Sequence, residues 1–253
     1  MSGGPVSDEV FTGGNSTPVF RRGDAVHREA GAWTPAVHRL LRTLRDAGIE
    51  QVPEPLGFDD RGREILSFVP GETLADAAPG VLWSEDILRS AAFLLRRIHD
   101  ASARLVDDGS LAWRSARHEP AQVICHNDFA TYNLTVVGDT LSGAIDFDFA
   151  SPGPRVWDLA YLAYRIVPFA EDSPDAAGLD RAQRLDELIA AYGDGIEAAD
   201  VVATMVRRLD DLREFTLARE AATGRSEFGD HAAMYERDAA RLTTWEPREP
   251  YSR

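Results

Sequence analysis

The sequence predicts an α+β protein of two lobes: a small β-rich lobe over residues 1–70 and a larger, mainly helical lobe over residues 71–253 that carries one β-hairpin. Three observations predict it. Short apolar runs punctuated by turn residues fill the segment before Gly71. Helical periodicity dominates after Ser84. Gly138-Asp139, set between two apolar runs, is a strong hairpin signal. A chain of 253 residues is ample to bury a core, and its 44% apolar and 27% charged residues are those of an ordinary globular protein. Low-complexity disorder and collagen-like architectures are excluded.

In the first lobe, Thr12-Gly13-Gly14-Asn15 reads as a turn. Val19-Phe20 and Ala25-Val26-His27-Arg28 follow as short strands about the turn Arg22-Gly23-Asp24. A helix is predicted over residues 34–47, with Thr34 as N-cap and Pro35 at the first helical position. Val37, Leu40, Leu41 and Leu44 share one face of it, and Gly48 closes it. Pro55-Leu56-Gly57-Phe58 and the strand Glu64-Ile65-Leu66-Ser67-Phe68-Val69 flank the turn Asp60-Arg61-Gly62. Pro70-Gly71 then breaks the chain and marks a hinge.

In the second lobe, Ile87, Leu88, Ala91, Leu94, Leu95 and Ile98 form a helical stripe wide enough to face a core. Val123-Ile124-Cys125 is a short apolar run. The hairpin strands are Leu134–Val137 and Leu141–Ile145, and helices are expected at Trp157–Ile166, Arg181–Tyr192, Val201–Ala221 and His231–Leu242. No internal repeat is present.

The charge balance narrows the partners. There are 42 acids against 27 bases, every base is arginine, and no lysine occurs anywhere. A net charge of −15 argues against nucleic acid and against an anionic membrane surface, since both need clustered cations. One cysteine makes no internal disulfide, and Met1 to Phe20 holds no apolar signal-peptide core, so a cytoplasmic location is expected. No stretch reaches the roughly 18 consecutive apolar residues of a membrane span.

The chemistry-capable residues concentrate around the hairpin. His126-Asn127-Asp128-Phe129-Ala130-Thr131-Tyr132-Asn133 spells H-x-D-x-x-x-x-N just before the first strand, and Ile145-Asp146-Phe147-Asp148 closes the second. A tight turn sets the outer ends of its two strands side by side, so Asn133 and Asp146 are expected as neighbours. An amide oxygen and a carboxylate together suit a hard cation such as Mg²⁺. Asp128, in the adjoining loop, is placed to accept a proton from an incoming hydroxyl or to orient it. His126 reads as a structural hydrogen bonder. For Asp148 a role at the metal and a loop hydrogen bond both stay open. Cys125 and His126 are neighbours on a strand and point to opposite faces, so no thiol–imidazole pair is implied.

These pieces resemble the aminoglycoside phosphotransferase family, the small-molecule branch of the protein-kinase-like fold. The matching segments are HNDFATYN (His126–Asn133), IDFD (Ile145–Asp148) and RVWDLAYLAY (Arg155–Tyr164). Fainter likeness extends to Gly13-Gly14 as a loop over phosphates, to Ser67-Phe68-Val69-Pro70-Gly71 as the hinge and to Arg96-Arg97-Ile98-His99 as the end of a helix. The resemblance implies a two-lobed protein-kinase-like fold that moves the γ-phosphoryl of ATP or GTP to a hydroxyl of a small molecule, with Mg²⁺ as cofactor. By it, Asp128 is the catalytic base and Asn133 and Asp146 are the metal ligands. Ser67, Phe68 and Val69 are the nucleotide-binding hinge, and Asp158 ties its helix to the catalytic loop.

One departure from the family pattern stands out. The strand lysine that grips the nucleotide phosphates, and the helix glutamate that holds it, have no counterpart, since the chain has no lysine and helix 34–47 has no acid before Asp46. Arg28 is the candidate substitute, with His27 the alternative, and His38 is the nearest inward polar residue of the helix. Arginine binds phosphate bidentately, with a different geometry. Residues 171–253 carry 19 acids against 11 arginines, which favours a cationic, polyhydroxylated acceptor. A metabolic kinase for an amino alcohol, sugar or nucleoside and a degenerate nucleotide-binding module are the competing readings.

Overall fold

The computed structural model describes residues 9–11 and 19–247. The Thr12–Asn15 turn, with Gly13-Gly14, lies outside the described residues. The first sheet is antiparallel and five-stranded in the order β1-β2-β3-β5-β4: β1 (Glu9–Phe11), β2 (Val19–Arg22), β3 (Ala25–Arg28), β4 (Pro55–Phe58) and β5 (Glu64–Ser67). The β3–β5 register sets Arg28 directly opposite Glu64. Directly opposed residues project from the same face, so these two side chains meet.

Helix α1 (Thr34–Asp46) packs its buried Val37, Leu40, Leu41 and Leu44 into the core. It starts one residue earlier than the capping pattern predicts. Trp33 holds the N-cap position, and the Thr34 hydroxyl accepts from the Gly31 N–H at 2.9 Å instead of capping the helix. Strand β5 ends at Ser67 and not at Val69, and the Phe68 N–H makes one last in-register bond to the Asp24 carbonyl at 2.8 Å. Gly71 follows with a φ of 120°, and a Cβ there would lie 2.3 Å from the Val136 carbonyl oxygen. Only glycine permits that approach.

After the break, β6 (Glu72–Thr73) joins the hairpin of β8 (Leu134–Val137) and β9 (Thr140–Ala144) as a third strand in the order β6-β8-β9. The chain just after Gly71 is thereby tied to the hairpin. A short α2 (Pro79–Leu82) precedes α3 (Glu85–Ser102), whose N-cap Ser84 accepts from the Ile87 N–H at 3.1 Å. The stripe of α3 predicted to face the core is fully buried. β7 (Val123–Cys125), just before the His126–Asn133 loop, pairs with β10 (Ser151–Gly153).

The remaining helices are α4 (Arg155–Ile166), α5 (Arg181–Tyr192), α6 (Ala198–Thr223) and α7 (Glu227–Thr243). Helix α4 is buried on nearly every side, and α6 packs against both α4 and α7. Gly224, left-handed at φ 70°, ends α6. One continuous apolar cluster runs from α1 through α3 and α4 to α5 and α6. Among the described residues no helix is long and apolar enough to cross a membrane.

Candidate active site

The loop between β7 and β8 is held from below by Asp158 of α4, which is fully buried. Its carboxylate accepts from the backbone N–H of His126 at 2.5 Å and of Asn127 at 2.8 Å. His99 Nε2 of α3 lies 3.1 Å from the same group and donates to it, so His99 Nδ1 accepts from the Tyr192 hydroxyl of α5 at 2.7 Å. Burial pushes the Asp158 carboxyl up, but the His99 hydrogen bond and the neighbouring His126 and Arg208 outweigh it, and the net shift is downward. Two helices and the loop thus meet at one carboxylate, with α5 joined through His99.

Asn127 takes a left-handed conformation, φ 66°, which asparagine tolerates better than most residues. Its Nδ2 donates to the Phe149 carbonyl and to Ser151 Oγ, each at 2.8 Å. Its carbonyl accepts from Arg208 Nη2 of α6 at 2.6 Å. Arg208 also lies over the rings of Trp157 and Tyr161. Sequence reasoning missed both Asn127 and Arg208. The left-handed preference of asparagine was the available signal for the first, while nothing in the local sequence pointed to an arginine 81 residues away.

Asp128 comes next in the loop. Its Oδ1 accepts from the Tyr132 hydroxyl at 2.5 Å and its Oδ2 from Asn133 Nδ2 at 2.9 Å. Tyr132 gives its proton to Asp128, so the Tyr161 hydroxyl, 2.8 Å away, donates to Tyr132. Burial raises the Asp128 carboxyl above the ordinary aspartate range, against the Tyr132 hydrogen bond and the Arg208 charge that lower it. His126 bridges loop and hairpin: Nδ1 accepts from the Asp128 N–H at 3.2 Å and Nε2 donates to the Ile145 carbonyl at 3.0 Å.

Asn133 and Asp146 sit at the open end of the hairpin, where the Ile145 N–H donates to the Asn133 carbonyl at 2.9 Å. Asp146 is left-handed, φ 63°, with its side chain 44% exposed. The Asn133 amide nitrogen is committed to Asp128, which leaves its amide oxygen for a cation. With the Asp146 carboxylate at the same open end of the hairpin, these hard oxygens suit Mg²⁺.

Arg28 reaches this group from the first sheet. Nε donates to Glu64 at 2.5 Å, Nη1 to Asp146 at 3.0 Å and Nη2 to Asp148 at 2.6 Å. Burial would lower the Arg28 pKa, but the charges of Asp148, Glu64 and Asp146 raise it above the ordinary arginine value. Asp148 also lies 3.6 Å from Arg114, whose guanidinium stacks on Trp33 and Phe149. Of the two alternatives left open in the sequence, only Arg28 is brought here. His27 points to the other face and pairs with Asp59 at 3.3 Å.

At the hinge, the Ser67 and Phe68 N–H groups are taken by the Glu54 and Asp24 carbonyls, so these two donors face their own lobe. Val69 beside them is buried. Trp157, Tyr161, Tyr164 and Phe169 are all packed in the interior. Of the C-terminal acids, Glu171 pairs with Arg237 and Arg241, and buried Asp238 accepts from the Tyr164 hydroxyl at 2.5 Å. Asp210, Asp211 and Glu214 of α6 are exposed.

Comparison with known proteins follows the same lines. A profile described as the phosphotransferase enzyme family matches residues 108–201. The trifolitoxin immunity protein of Rhizobium leguminosarum bv. trifolii is 35% identical over 200 residues, which span 74% of this chain and 75% of that protein. Among solved structures, a choline/ethanolamine kinase family protein from Mesorhizobium loti superposes with a TM-score of 0.65 at 20% identity, covering 96% of this chain and 89% of that one. An ethanolamine kinase from Plasmodium vivax gives 0.68 at 12% identity, covering 92% and 82%. An aminoglycoside phosphotransferase from Streptomyces rimosus, bound to ADP and streptomycin, gives 0.58 at 17% identity, covering 80% and 92%. The protein-kinase-like architecture is shared with all three.

Proposed function

Because the chain belongs to the phosphotransferase enzyme family, we propose that it transfers the γ-phosphoryl group of ATP or GTP to a hydroxyl of a small molecule. The observation that carries this reading is the convergence of Asp128, Asn133, Asp146 and Arg28 from three separate stretches of chain. Asp128 receives the acceptor proton. Tyr132 and Asn133 hold one carboxylate oxygen each, which fixes the plane of the base and leaves a lone pair on each oxygen for the incoming hydroxyl. Asn133 and Asp146 would hold Mg²⁺, which supplies charge neutralisation to the transferring phosphoryl group when bound. Arg28 adds a fixed positive charge on the nucleotide side. The Ser67–Val69 strip is assigned to the nucleobase, which meets it other than through the Ser67 and Phe68 N–H groups. Positioning, and not covalent chemistry on the protein, does most of the work in such a site.

The acceptor is proposed to be polyhydroxylated, with a cationic amine preferred on account of the net charge of −15. The exposed acids of α6 support that preference, and the Glu171 and Asp238 pairings limit its source to the remaining acids. The 35% identical relative adds a protective context: an immunity function is consistent with phosphorylating a harmful compound.

The test is a matched panel of aminoglycosides, amino alcohols, nucleosides and neutral sugars, incubated with Mg²⁺ and ATP or GTP and read by mass spectrometry for phosphate transfer. Cationic acceptors are expected to give the higher kcat/KM, with an advantage that shrinks as salt screens exposed charge. Equal turnover of neutral analogues overturns the charge preference alone. Nucleotide binding without transfer to any acceptor would favour the degenerate binding module instead.

A further inference from the structure

Glu64 is the residue that the departure from the family pattern leaves unexplained. It is 1% exposed, yet it is a carboxylate on an otherwise apolar strand. Both of its oxygens are engaged: Oε1 accepts from Arg28 Nε at 2.5 Å and Oε2 from His38 Nε2 of α1 at 2.9 Å. His38 is itself 2% exposed. The chain His38–Glu64–Arg28 runs from the helix through β5 to β3.

A guanidinium is planar and carries five N–H donors in a rigid fork. With Nε tied to Glu64, the Nη1–Nη2 edge is turned toward Asp146 and Asp148, the two aspartates of the IDFD segment. Each Nη has two hydrogens and uses one on a carboxylate, so one N–H on each remains. Those two N–H groups flank the edge that Asp146 and Asp148 occupy, so each is a separate charge-assisted donor for a phosphate oxygen.

We infer that Glu64 and His38 are positioning residues that fix Arg28 as a donor to nucleotide phosphate, and that this site requires arginine and rejects lysine. A lysine has a single nitrogen. It cannot stay bonded to buried Glu64 while bridging Asp146 and Asp148 and meeting a phosphate. The carboxylate that steadies the cation here comes from the neighbouring strand, and α1 contributes the imidazole behind it. The inference rests on the phosphotransferase reading and extends it to the phosphate grip.

The experiment is calorimetric binding of Mg·ATP and Mg·GTP to the full-length protein and to Arg28→Lys, Glu64→Gln and the double variant, with thermal melts as a check on folding. Wild type is expected to bind. Arg28→Lys keeps the charge but is expected to weaken binding about tenfold or more, the loss of one charge-assisted hydrogen bond. Glu64→Gln is expected to weaken it by a smaller factor, and the double variant to bind no worse than Arg28→Lys, because Glu64 acts through Arg28. Should Glu64→Gln fail to fold, His38→Gln, which removes only the support behind Glu64, takes its place in the cycle. Wild-type affinity in Arg28→Lys, or additive losses in the double variant, overturns the positioning of Arg28 by Glu64 while leaving the phosphotransferase reading standing. A wild type that binds neither nucleotide overturns both.

Discussion

Asp146 follows β9 by two residues in a left-handed conformation, with one oxygen on Arg28 and its side chain 44% exposed. A direct oxygen ligand matters most when the metal is present. Asp146→Ala is therefore expected to weaken Mg²⁺-dependent nucleotide binding more than metal-free binding, and Asn133→Ala to do the same more mildly. Titration calorimetry with and without Mg²⁺ checks this, and an unchanged Mg²⁺ dependence in Asp146→Ala removes the assignment. At this scale the motif residues were legible because they are close in sequence: Asp128, Asn133 and Asp146 lie within 19 positions. Glu64, Asn127 and Arg208 were not. Glu64 meets Arg28 only through the β3–β5 register, and Arg208 meets Asn127 only because α6 folds back on the loop. Tyr132 was written inside the motif, but its bond to Asp128 depends on the turn of the loop at Thr131–Asn133.

Helix α4 is the element that fixes the loop, and Asp158 is its point of attachment. Asp158→Asn places an amide against two backbone N–H groups that need acceptors, so a cost of about 3–5 kcal/mol is expected, the scale of breaking a buried charged network. The wild-type carboxyl has its pKa lowered on folding, so the ionised form is the one the fold favours. Its stabilisation is therefore fully present above the unfolded value of about 4 and is lost as pH falls through the lower folded value. Thermal melts across that acid range are expected to show a steeper loss of Tm in wild type than in Asp158→Asn. Parallel slopes would remove Asp158 from the acid transition. The long elements were readable from periodicity: α5 matches its expected bounds, and α3 begins at its Ser84 cap. Strands β1, β6 and β10 were not anticipated. With two or three residues each, they are defined by their partners and carry no period of their own.

At the scale of the whole molecule, the five-stranded sheet meets the end of the hairpin through Arg28, Asp146 and Asp148, with β6 sewn into the hairpin sheet. The order of a β-rich segment followed by helices was legible because the hydrophobic period changes near Ser84. The closure of Arg28 onto Asp146 and Asp148 was not, since it spans 118 and 120 residues of chain. The account stands on Asp128 as the base of a phosphoryl transfer. Its most direct test is the turnover of Asp128→Asn, with ATP or GTP and the best acceptor of the panel, beside nucleotide affinity and Tm for the same protein. The expected kcat is lower by about two orders of magnitude or more, the usual contribution of a positioned base, with affinity and Tm close to wild type. Wild-type turnover in Asp128→Asn would contradict it.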